Sequence, residues 1–333
     1  VKKMSNNLSS SKELKKNIED IMKKKHYENF DEWVINFALN LSNIWNEKSA
    51  KNLLPLDNEN FQNEENSAIV IGRGPSIKKH NQLKLLADSD YQGTIVCCDG
   101  VLSDALKSGV TPDKFHKFFV ITIDPYKDIK KHYDHEIINT YGSKIKGIFT
   151  VIANPNAVER ARQSGIQIHW MHSLFDYNEG VKSFNNLSAL MIRAEDSLHR
   201  LPAIQTGGNV GTSSWFVAWQ ILKCTTIALI GINHGWEEED SWETIISHGS
   251  MSDTRNIDKN GPSFKKLFKK IHNPDFNCNC ILDPLFQFYS EALKEFISRS
   301  PEWLSTINAT EGGSIFGKRI KSMKFNDFLN SFS

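Results

Sequence analysis

The chain has 333 residues, of which 39% are hydrophobic and 24% are charged, with a formal net charge of +1. This composition is typical of a globular protein with a substantial core and gives no reason to expect nucleic acid as a partner. No stretch approaches the roughly 20 apolar residues that a membrane span requires, and five cysteines that cannot all pair predict a reduced, cytoplasmic protein.

The N-terminal region has the pattern of amphipathic helices. Apolar residues recur at helical spacing from Ser11 and again from Asp31, where Val34, Phe37 and Leu41 share a face. The polar residues 57–66 read as a linker to the rest of the chain. The sequence therefore predicts an N-terminal helical module and linker over residues 1–60.

From residue 67 the pattern changes to short apolar runs that alternate with helical segments. The runs predict strands at residues 68–71, 94–98, 118–123, 147–152, 166–170 and 226–232. The main predicted helices are 155–164, 211–223, 284–299 and 324–331. This alternation predicts an α/β fold with a mostly parallel sheet and helices on both faces. Residues 235–280 lose the rhythm and are predicted to form a lid or insertion.

A tight glycine turn, Gly72-Arg73-Gly74-Pro75-Ser76, directly follows the first of these strands. Without Cβ atoms the two glycines let a phosphate approach the main chain, Arg73 adds a positive charge, and Ser76 can cap a helix. The turn matches neither the Walker loop nor the three-glycine dinucleotide motif. It is equally compatible with an ordinary strand-to-helix connection. If it binds phosphate, a Gly74→Val substitution should lower binding and leave the fold intact.

A second glycine-rich turn leads into the predicted helix 211–223. Its candidate nucleotide-binding residues are Gly207, Gly208, Asn209, Gly211 and Thr212. A helix N-terminus attracts anions through its free N–H donors, although a capped helix after a loop explains the turn equally well. The presence of two such turns in one α/β chain strengthens the nucleotide interpretation of both.

Polar residues gather at the predicted C-terminal ends of the strands, where ligands of parallel sheets bind. They include Asp99, Gly100, Asp124 and Asn154. Paired carboxylates such as Asp99 and Asp124 can hold a magnesium ion between phosphates, act as a general base or bind a ribose. Turn-forming or helix-capping aspartates are the alternative.

Histidines follow the last predicted strand and lie in the predicted lid. His234 and His248 are the candidates for a base that activates a hydroxyl acceptor, with His234 first because it is nearest the strand end. Asn308, Thr310 and Glu311 precede a double glycine. Their side chains either enter a cleft as substrate ligands or form a turn.

Five motifs in order resemble those of the 6-hydroxymethylpterin diphosphokinase MptE-like family, which includes the motility accessory factors of flagellin glycosylation. The motifs are residues 70–76, 98–100, 206–212, 229–231 and 307–313. The resemblance covers residues 67–317 and leaves residues 318–333 as a C-terminal helix. The first glycine turn and the strand before Gly231 also resemble bacterial sialyltransferases that use a CMP-activated sugar.

The resemblance implies a Rossmann-like, nucleotide-binding transferase with residues 72–76 on the nucleotide and residues 207–212 beside it. Residues 308–313 and the length beyond the core favour glycosyl transfer from a CMP-nonulosonate-type sugar to a hydroxyl on a sugar or protein. The first alternative is diphosphate transfer from ATP, with magnesium, to the hydroxyl of 6-hydroxymethyl-7,8-dihydropterin. A non-catalytic nucleotide-binding protein is the second.

Overall fold

The computed structural model describes residues 30–53, 66–174, 183–195, 200–241, 243–245 and 261–332. The strands are β1 (Lys48–Ser49), β2 (Ser67–Ile71), β3 (Thr94–Cys98), β4 (Phe118–Thr122), β5 (Lys146–Thr150), β6 (Gln167–Leu174), β7 (Ala203–Gln205), β8 (Thr226–Ile230), β9 (Trp236–Glu237), β10 (Lys269–Asn273), β11 (Cys278–Leu282), β12 (Ser305–Asn308) and β13 (Ile320–Ser322). The α-helices are α1 (residues 30–46), α2 (Ser76–Lys79), α3 (Gln82–Asp88), α4 (Leu102–Lys107), α5 (Glu136–Tyr141), α6 (Pro155–Gln163), α7 (Phe184–Glu195), α8 (Val210–Phe216), α9 (Pro262–Leu267), α10 (Pro284–Ser298) and α11 (Phe325–Ser331).

Ten strands form one sheet in the order β1-β6-β5-β4-β3-β2-β8-β12-β13, with β7 paired to β6. Every described pairing in this sheet is parallel. The chain adds β3 to β6 on one side of β2 and then places β8 on its other side. The boundary between β2 and β8 is therefore a topological switch point, where open α/β sheets bind their ligands.

The central strands are buried along their whole length. β2, β3 and β4 contain no exposed residue. Because successive side chains in a strand point to opposite faces of the sheet, complete burial requires cover on both faces. The predicted α/β fold with a mostly parallel sheet is thereby confirmed.

Several predicted boundaries differ from the structure by a few residues, and for two strands the reason is identifiable. β8 ends at Ile230 because Gly231 has a φ of +64°, a left-handed conformation that is incompatible with a strand. β6 extends to Leu174 because its last residues pair with β7. The helix predicted at 211–223 begins at Val210 and changes to a π-helix over Val217–Ile221.

The helix predicted from Asp31 is present as α1, and it docks on the loops that follow β4 and β5. Its side chains Trp33, Phe37 and Ile44 belong to the main apolar core. Asn36 Nδ2 donates to Pro125 O at 2.9 Å, so α1 also fixes the backbone beside the β4 loop. Buried amide side chains of this kind satisfy loop carbonyls that no strand pairs.

Several predicted features fall outside the described residues. They are the helical pattern from Ser11, most of the linker, and residues 242 and 246–260 of the predicted lid. The helices predicted near residues 284 and 324 are present as α10 and α11. Among the described helices, none is both long and apolar enough to cross a membrane.

The segment predicted as an irregular lid contains regular structure. β10, β11 and β9 form a three-stranded antiparallel sheet in that order. Trp236, Phe264, Phe268 and Ile281 form a second, smaller apolar cluster beside it. The irregular interpretation was wrong for these strands. β10 is mostly exposed and lacks the apolar run by which sequence reveals a buried strand, and β9 has only two residues.

We expect Gly72→Ala to destabilise the fold by about 1–3 kcal/mol, because this is the typical cost of overpacking a tight contact. A Cβ at Gly72 would lie 2.3 Å from Gly231 O and 2.4 Å from Ile232 Cδ1. Urea denaturation measures the change in the free energy of unfolding.

Gly100→Ala is the matched control, since its Cβ would meet no atom closer than 3.6 Å. Its stability should stay within about 0.5 kcal/mol of the wild type. Equal stabilities for the two variants would contradict the tight contact between the loops.

Candidate functional site

A cavity of about 330 Å³ lies at the C-terminal end of the sheet, beside the switch between β2 and β8. Segments that follow β2, β3, β4 and β8 build its wall, together with the first turn of α8 and two aromatic residues of α10. The lining residues are 72–75 after β2, 98–100 at the end of β3, 124, 128, 129, 131 and 132 after β4, 209–211 at the start of α8, 231–236 after β8, and 286 and 289 on α10. Its size and position make this cavity the candidate binding site.

The first glycine turn lines the cavity and contacts the loop that follows β8. Gly72 N donates to Ile230 O and Gly74 N donates to Gly231 O, both at 2.8 Å. These two N–H groups are therefore used within the protein rather than left free for a phosphate. A Cβ at Gly74 would lie 2.4 Å from Asn233 Oδ1 and 2.7 Å from Gly231 O, so Gly74→Val would also strain the contact between the loops and does not test phosphate binding alone.

Ser76 braces the same contact and does not line the cavity. It is 2% exposed, and Gly231 N donates to its Oγ at 3.1 Å. Its own N–H donates to Asn233 Oδ1 at 3.4 Å. Of the predicted turn residues, the structure brings Gly72, Arg73, Gly74 and Pro75 to the cavity and uses Ser76 as an internal link.

The second glycine turn contributes Asn209 and Gly211 to the cavity wall. Asn209 is also the N-cap of α8, because its Oδ1 accepts from Thr212 N at 2.9 Å. Gly207, Gly208 and Thr212 are not among the lining residues. A Cβ at Gly208 would lie 2.8 Å from Tyr289 Cε1, so this glycine admits Tyr289 to the wall.

Two carboxylates meet in the cavity, as the sequence predicted from their places at strand ends. Asp99 Oδ1 accepts from Gly100 N at 2.7 Å and Oδ2 accepts from Thr122 Oγ1 at 2.9 Å. Burial, followed by the charge of Asp124, raises the pKa of Asp99 to about 7. Burial also raises the pKa of Asp124 to about 6, with a contribution from Asp128. Both groups exchange protons near neutral pH, as acid–base residues must.

Basic side chains line the cavity beside these carboxylates. Arg73 comes from the first glycine turn, and Lys131 and His132 come from the 3-10 helix after β4. Burial, followed by the charge of Arg73, lowers the pKa of His132 to about 4, so its imidazole is neutral. Sequence reasoning missed Lys131 and His132, although the basic run 130–132 closely follows Asp124 and offered a local signal.

His234 lies in the cavity wall, but its environment makes it a weak base. It is 7% exposed and has a φ of +43°, a conformation that histidine tolerates better than most residues. Burial, followed by the charge of Lys294, lowers the pKa of His234 to about 3. The raised pKa of Asp124 suits proton transfer better. His248, the second candidate base, lies outside the described residues.

Asn154 does not line the cavity and supports it from behind. Its Oδ1 caps α6 by accepting from Asn156 N at 3.1 Å. Its Nδ2 donates to Pro125 O at 3.2 Å, next to Asp124. The structure therefore gives Asn154 a helix-capping and loop-positioning contact in place of the predicted one with a nucleotide.

The predicted substrate residues Asn308, Thr310 and Glu311 fold a turn away from the cavity wall. Asn308 and Thr310 are fully buried, and Thr310 Oγ1 donates to Asn308 Oδ1 at 2.7 Å. Asn308 Nδ2 donates to Ile315 O at 2.6 Å, which closes the turn. Glu311 Oε1 accepts from Phe325 N at 3.2 Å. The turn-forming alternative accounts for all three contacts.

The fit of the cavity to magnesium rests on Asp99 and Asp124. Within the described ranges, no cluster of three or more His, Cys, Asp or Glu side chains could hold a metal ion. Magnesium in phosphate-transfer sites is often bound by only one or two carboxylates together with substrate phosphates. The two carboxylates therefore fit an ion that arrives with a phosphorylated ligand, and they do not form a complete protein cage.

The fold and the cavity define a Rossmann-like α/β protein with a polar site at its topological switch point. The chain belongs to the family described as 6-hydroxymethylpterin diphosphokinase MptE-like, which matches residues 35–239. This confirms the family resemblance inferred from the sequence. Four of the five motifs lie within the matched residues, and the fifth, at residues 307–313, lies beyond them.

Among solved structures, the chain is similar to a MAf glycosyltransferase from Magnetospirillum magneticum AMB-1, with a TM-score of 0.51 and 11% sequence identity. The similarity covers 83% of this chain and 39% of that chain, so this chain spans about two fifths of that protein's length. No curated protein matches the chain. At this identity the likeness establishes a shared fold.

Wild-type protein should lose about 2 kcal/mol more stability than His234→Asn between pH 7.5 and pH 5. Burial lowers the pKa of His234 from 6.5 to about 3 in the folded state, so below pH 6.5 only the unfolded chain binds the proton. Stability therefore falls as the pH drops from 6.5 towards 3. Asparagine tolerates the left-handed backbone, and urea denaturation at several pH values measures the difference.

The exposed His116 allows the same substitution at the surface, so His116→Asn controls for the change of side chain itself. Parallel profiles for wild type and His234→Asn would show that the His234 imidazole is not buried in its neutral form.

Proposed function

We propose that this chain is a transferase that moves a glycosyl group from a nucleotide-activated sugar of the CMP-nonulosonate type to a hydroxyl acceptor. The observation that carries the proposal is the joint presence of Arg73 and Lys131 with Asp99 and Asp124 in one cavity. The cations suit the phosphate of a donor, and the carboxylates suit the proton of an acceptor.

The cations act on the leaving nucleotide. During transfer, the bond between the sugar's anomeric carbon and the phosphate oxygen breaks, and negative charge develops on the phosphate. Arg73 and Lys131 line the cavity after β2 and β4, where their positive charge stabilises the negative charge that develops on the phosphate. The acceptor oxygen forms the new bond to the anomeric carbon, and its proton passes to a base.

Asp124 is the base in this scheme. Both oxygens of Asp99 already accept hydrogen bonds, from Gly100 N and Thr122 Oγ1. Burial raises the pKa of Asp124 to about 6, so at neutral pH it is mostly ionised and still basic enough to take a proton. Asn36 and Asn154 both donate to Pro125 O, which fixes the backbone next to this carboxylate.

The likeness to a glycosyltransferase supports glycosyl transfer over other group transfers. It covers 83% of this chain, whereas the family match ends at residue 239. The shared architecture therefore includes parts of the chain beyond the family match. A fold alone does not determine chemistry, so the reaction needs a direct test.

Diphosphate transfer is a second candidate, because the family's description names a diphosphokinase. In that reaction Asp99 and Asp124 would hold a magnesium ion together with the phosphates of ATP, and the ion would neutralise their charge. The products would be AMP and a diphosphorylated alcohol. The two candidates thus differ in their donor and in their need for a divalent cation.

We expect Asp124→Asn to lower kcat for CMP release from a CMP-activated nonulosonate about 10²- to 10⁴-fold, because an amide cannot accept the acceptor's proton. The donor Kd should not rise, since the substitution removes a negative charge from the neighbourhood of the phosphate. Steady-state kinetics and calorimetric titration measure the two quantities. Asp104→Asn, an exposed change on α4, is the matched control and should keep wild-type kcat.

The same assay separates the two candidates. CMP release that persists in excess chelator supports glycosyl transfer. Formation of AMP from ATP and the pterin alcohol, abolished by the chelator, would establish the diphosphokinase instead. Normal kcat in Asp124→Asn would remove Asp124 as the base in the glycosyl scheme.

A further inference from the structure

One part of the cavity wall is aromatic. His234 and Trp236 follow β8, and Phe286 and Tyr289 lie on α10. The His234 and Phe286 rings are nearly parallel with centroids 6.1 Å apart, and the Trp236 and Phe286 centroids are 5.1 Å apart at 72°. The four rings therefore form one contiguous surface in the wall of the cavity.

Two ring nitrogens on this surface, His234 Nδ1 and Trp236 Nε1, are buried and have no hydrogen-bond partner among the described residues. The two residues are 7% and 1% exposed, so water does not readily satisfy these atoms. A buried polar atom left unsatisfied costs about 1–3 kcal/mol. A ligand that supplies the missing partners would remove this cost when it binds.

The chemistry of these nitrogens restricts the ligand. The indole Nε1–H can only donate, so it needs an acceptor. A phosphate binds more strongly to Arg73 and Lys131, because hydrogen bonds from charged donors are stronger than those from neutral donors. A sugar ring can pack a C–H face on an aromatic ring, but it lacks a π-face and a planar edge of acceptors. A nucleobase has both, since every base combines a π-face with acceptor atoms in its plane.

We propose that the surface formed by His234, Trp236, Phe286 and Tyr289 binds the nucleobase of the donor, with Trp236 Nε1 and His234 Nδ1 hydrogen-bonded to the edge of the base. This inference rests on the proposed function, because it assigns one end of the same nucleotide. The phosphate end then lies at Arg73 and Lys131. Both ends belong to one cavity of about 330 Å³.

Calorimetric titration of the full chain with CMP, UMP, GMP, AMP and ribose 5-phosphate tests the assignment. Ribose 5-phosphate keeps the phosphate and the ribose but has no base. We expect the preferred nucleotide to bind at least about tenfold more tightly than ribose 5-phosphate, as stacking on aromatic rings provides. The preferred base then identifies the class of activated donor.

Trp236→Phe removes the indole N–H and keeps an aromatic ring. It should weaken binding of the preferred nucleotide about fivefold or more, which is the loss of one hydrogen bond, and leave binding of ribose 5-phosphate unchanged. Trp33→Phe, the same change at a buried indole of α1 outside the cavity wall, should change neither affinity. Should Trp236→Phe fail to fold, His234→Asn decides in its place, because asparagine keeps the left-handed backbone.

The outcomes separate this inference from the proposed function. Equal affinity of wild type for nucleotides and ribose 5-phosphate would overturn the base site while leaving a phosphate-binding cavity. Undiminished nucleotide affinity in folded Trp236→Phe and in His234→Asn would also overturn it. Absence of binding by every nucleotide would overturn the proposed function as well.

Discussion

The backbone contact between the loops after β2 and β8 is the constraint on which the site depends. Gly72 N donates to Ile230 O at 2.8 Å, and Ser76 Oγ accepts from Gly231 N at 3.1 Å. A Cβ at Gly72 or at Gly231 would come within 2.3 Å or 2.2 Å of the other glycine's carbonyl oxygen. Only residues without a Cβ allow this approach. Because the connections diverge from neighbouring strands at a switch point, the two loops open a cavity above their contact.

Burial sets the electrostatic character of that cavity. It raises the pKa of Asp99 and Asp124 and lowers the pKa of His132 and His234, so each shift favours the neutral form. The result is a pair of carboxylates that exchange protons near neutral pH beside two neutral imidazoles. Arg73 and Lys131 add positive charge to the same cavity, where Lys131 Nζ donates to Asp128 Oδ2 at 2.9 Å.

The parts of the structure that depend on local pattern could be predicted from the sequence. β3 has the predicted bounds because a continuous apolar run between turn signals is visible in the local sequence. Asp99 and Asp124 line the cavity, as their positions after predicted strands indicated. Ser76 and Asn308 were candidate ligand residues, yet they bond to backbone atoms that only the folded chain brings near. Phe286 reaches the cavity from α10, and no local signal in its helix indicates that position.

Hydrogen–deuterium exchange of the full chain, with and without a nucleotide at saturating concentration, tests most directly whether the cavity above the two glycine loops is the nucleotide site. Binding stabilises the loops that contact the ligand, so amide exchange there should slow. We expect slower exchange in residues 72–76 and 231–237 and unchanged exchange in α7, which does not line the cavity. Unchanged exchange in both loops, under conditions where calorimetry shows that the nucleotide is bound, would contradict this placement of the site.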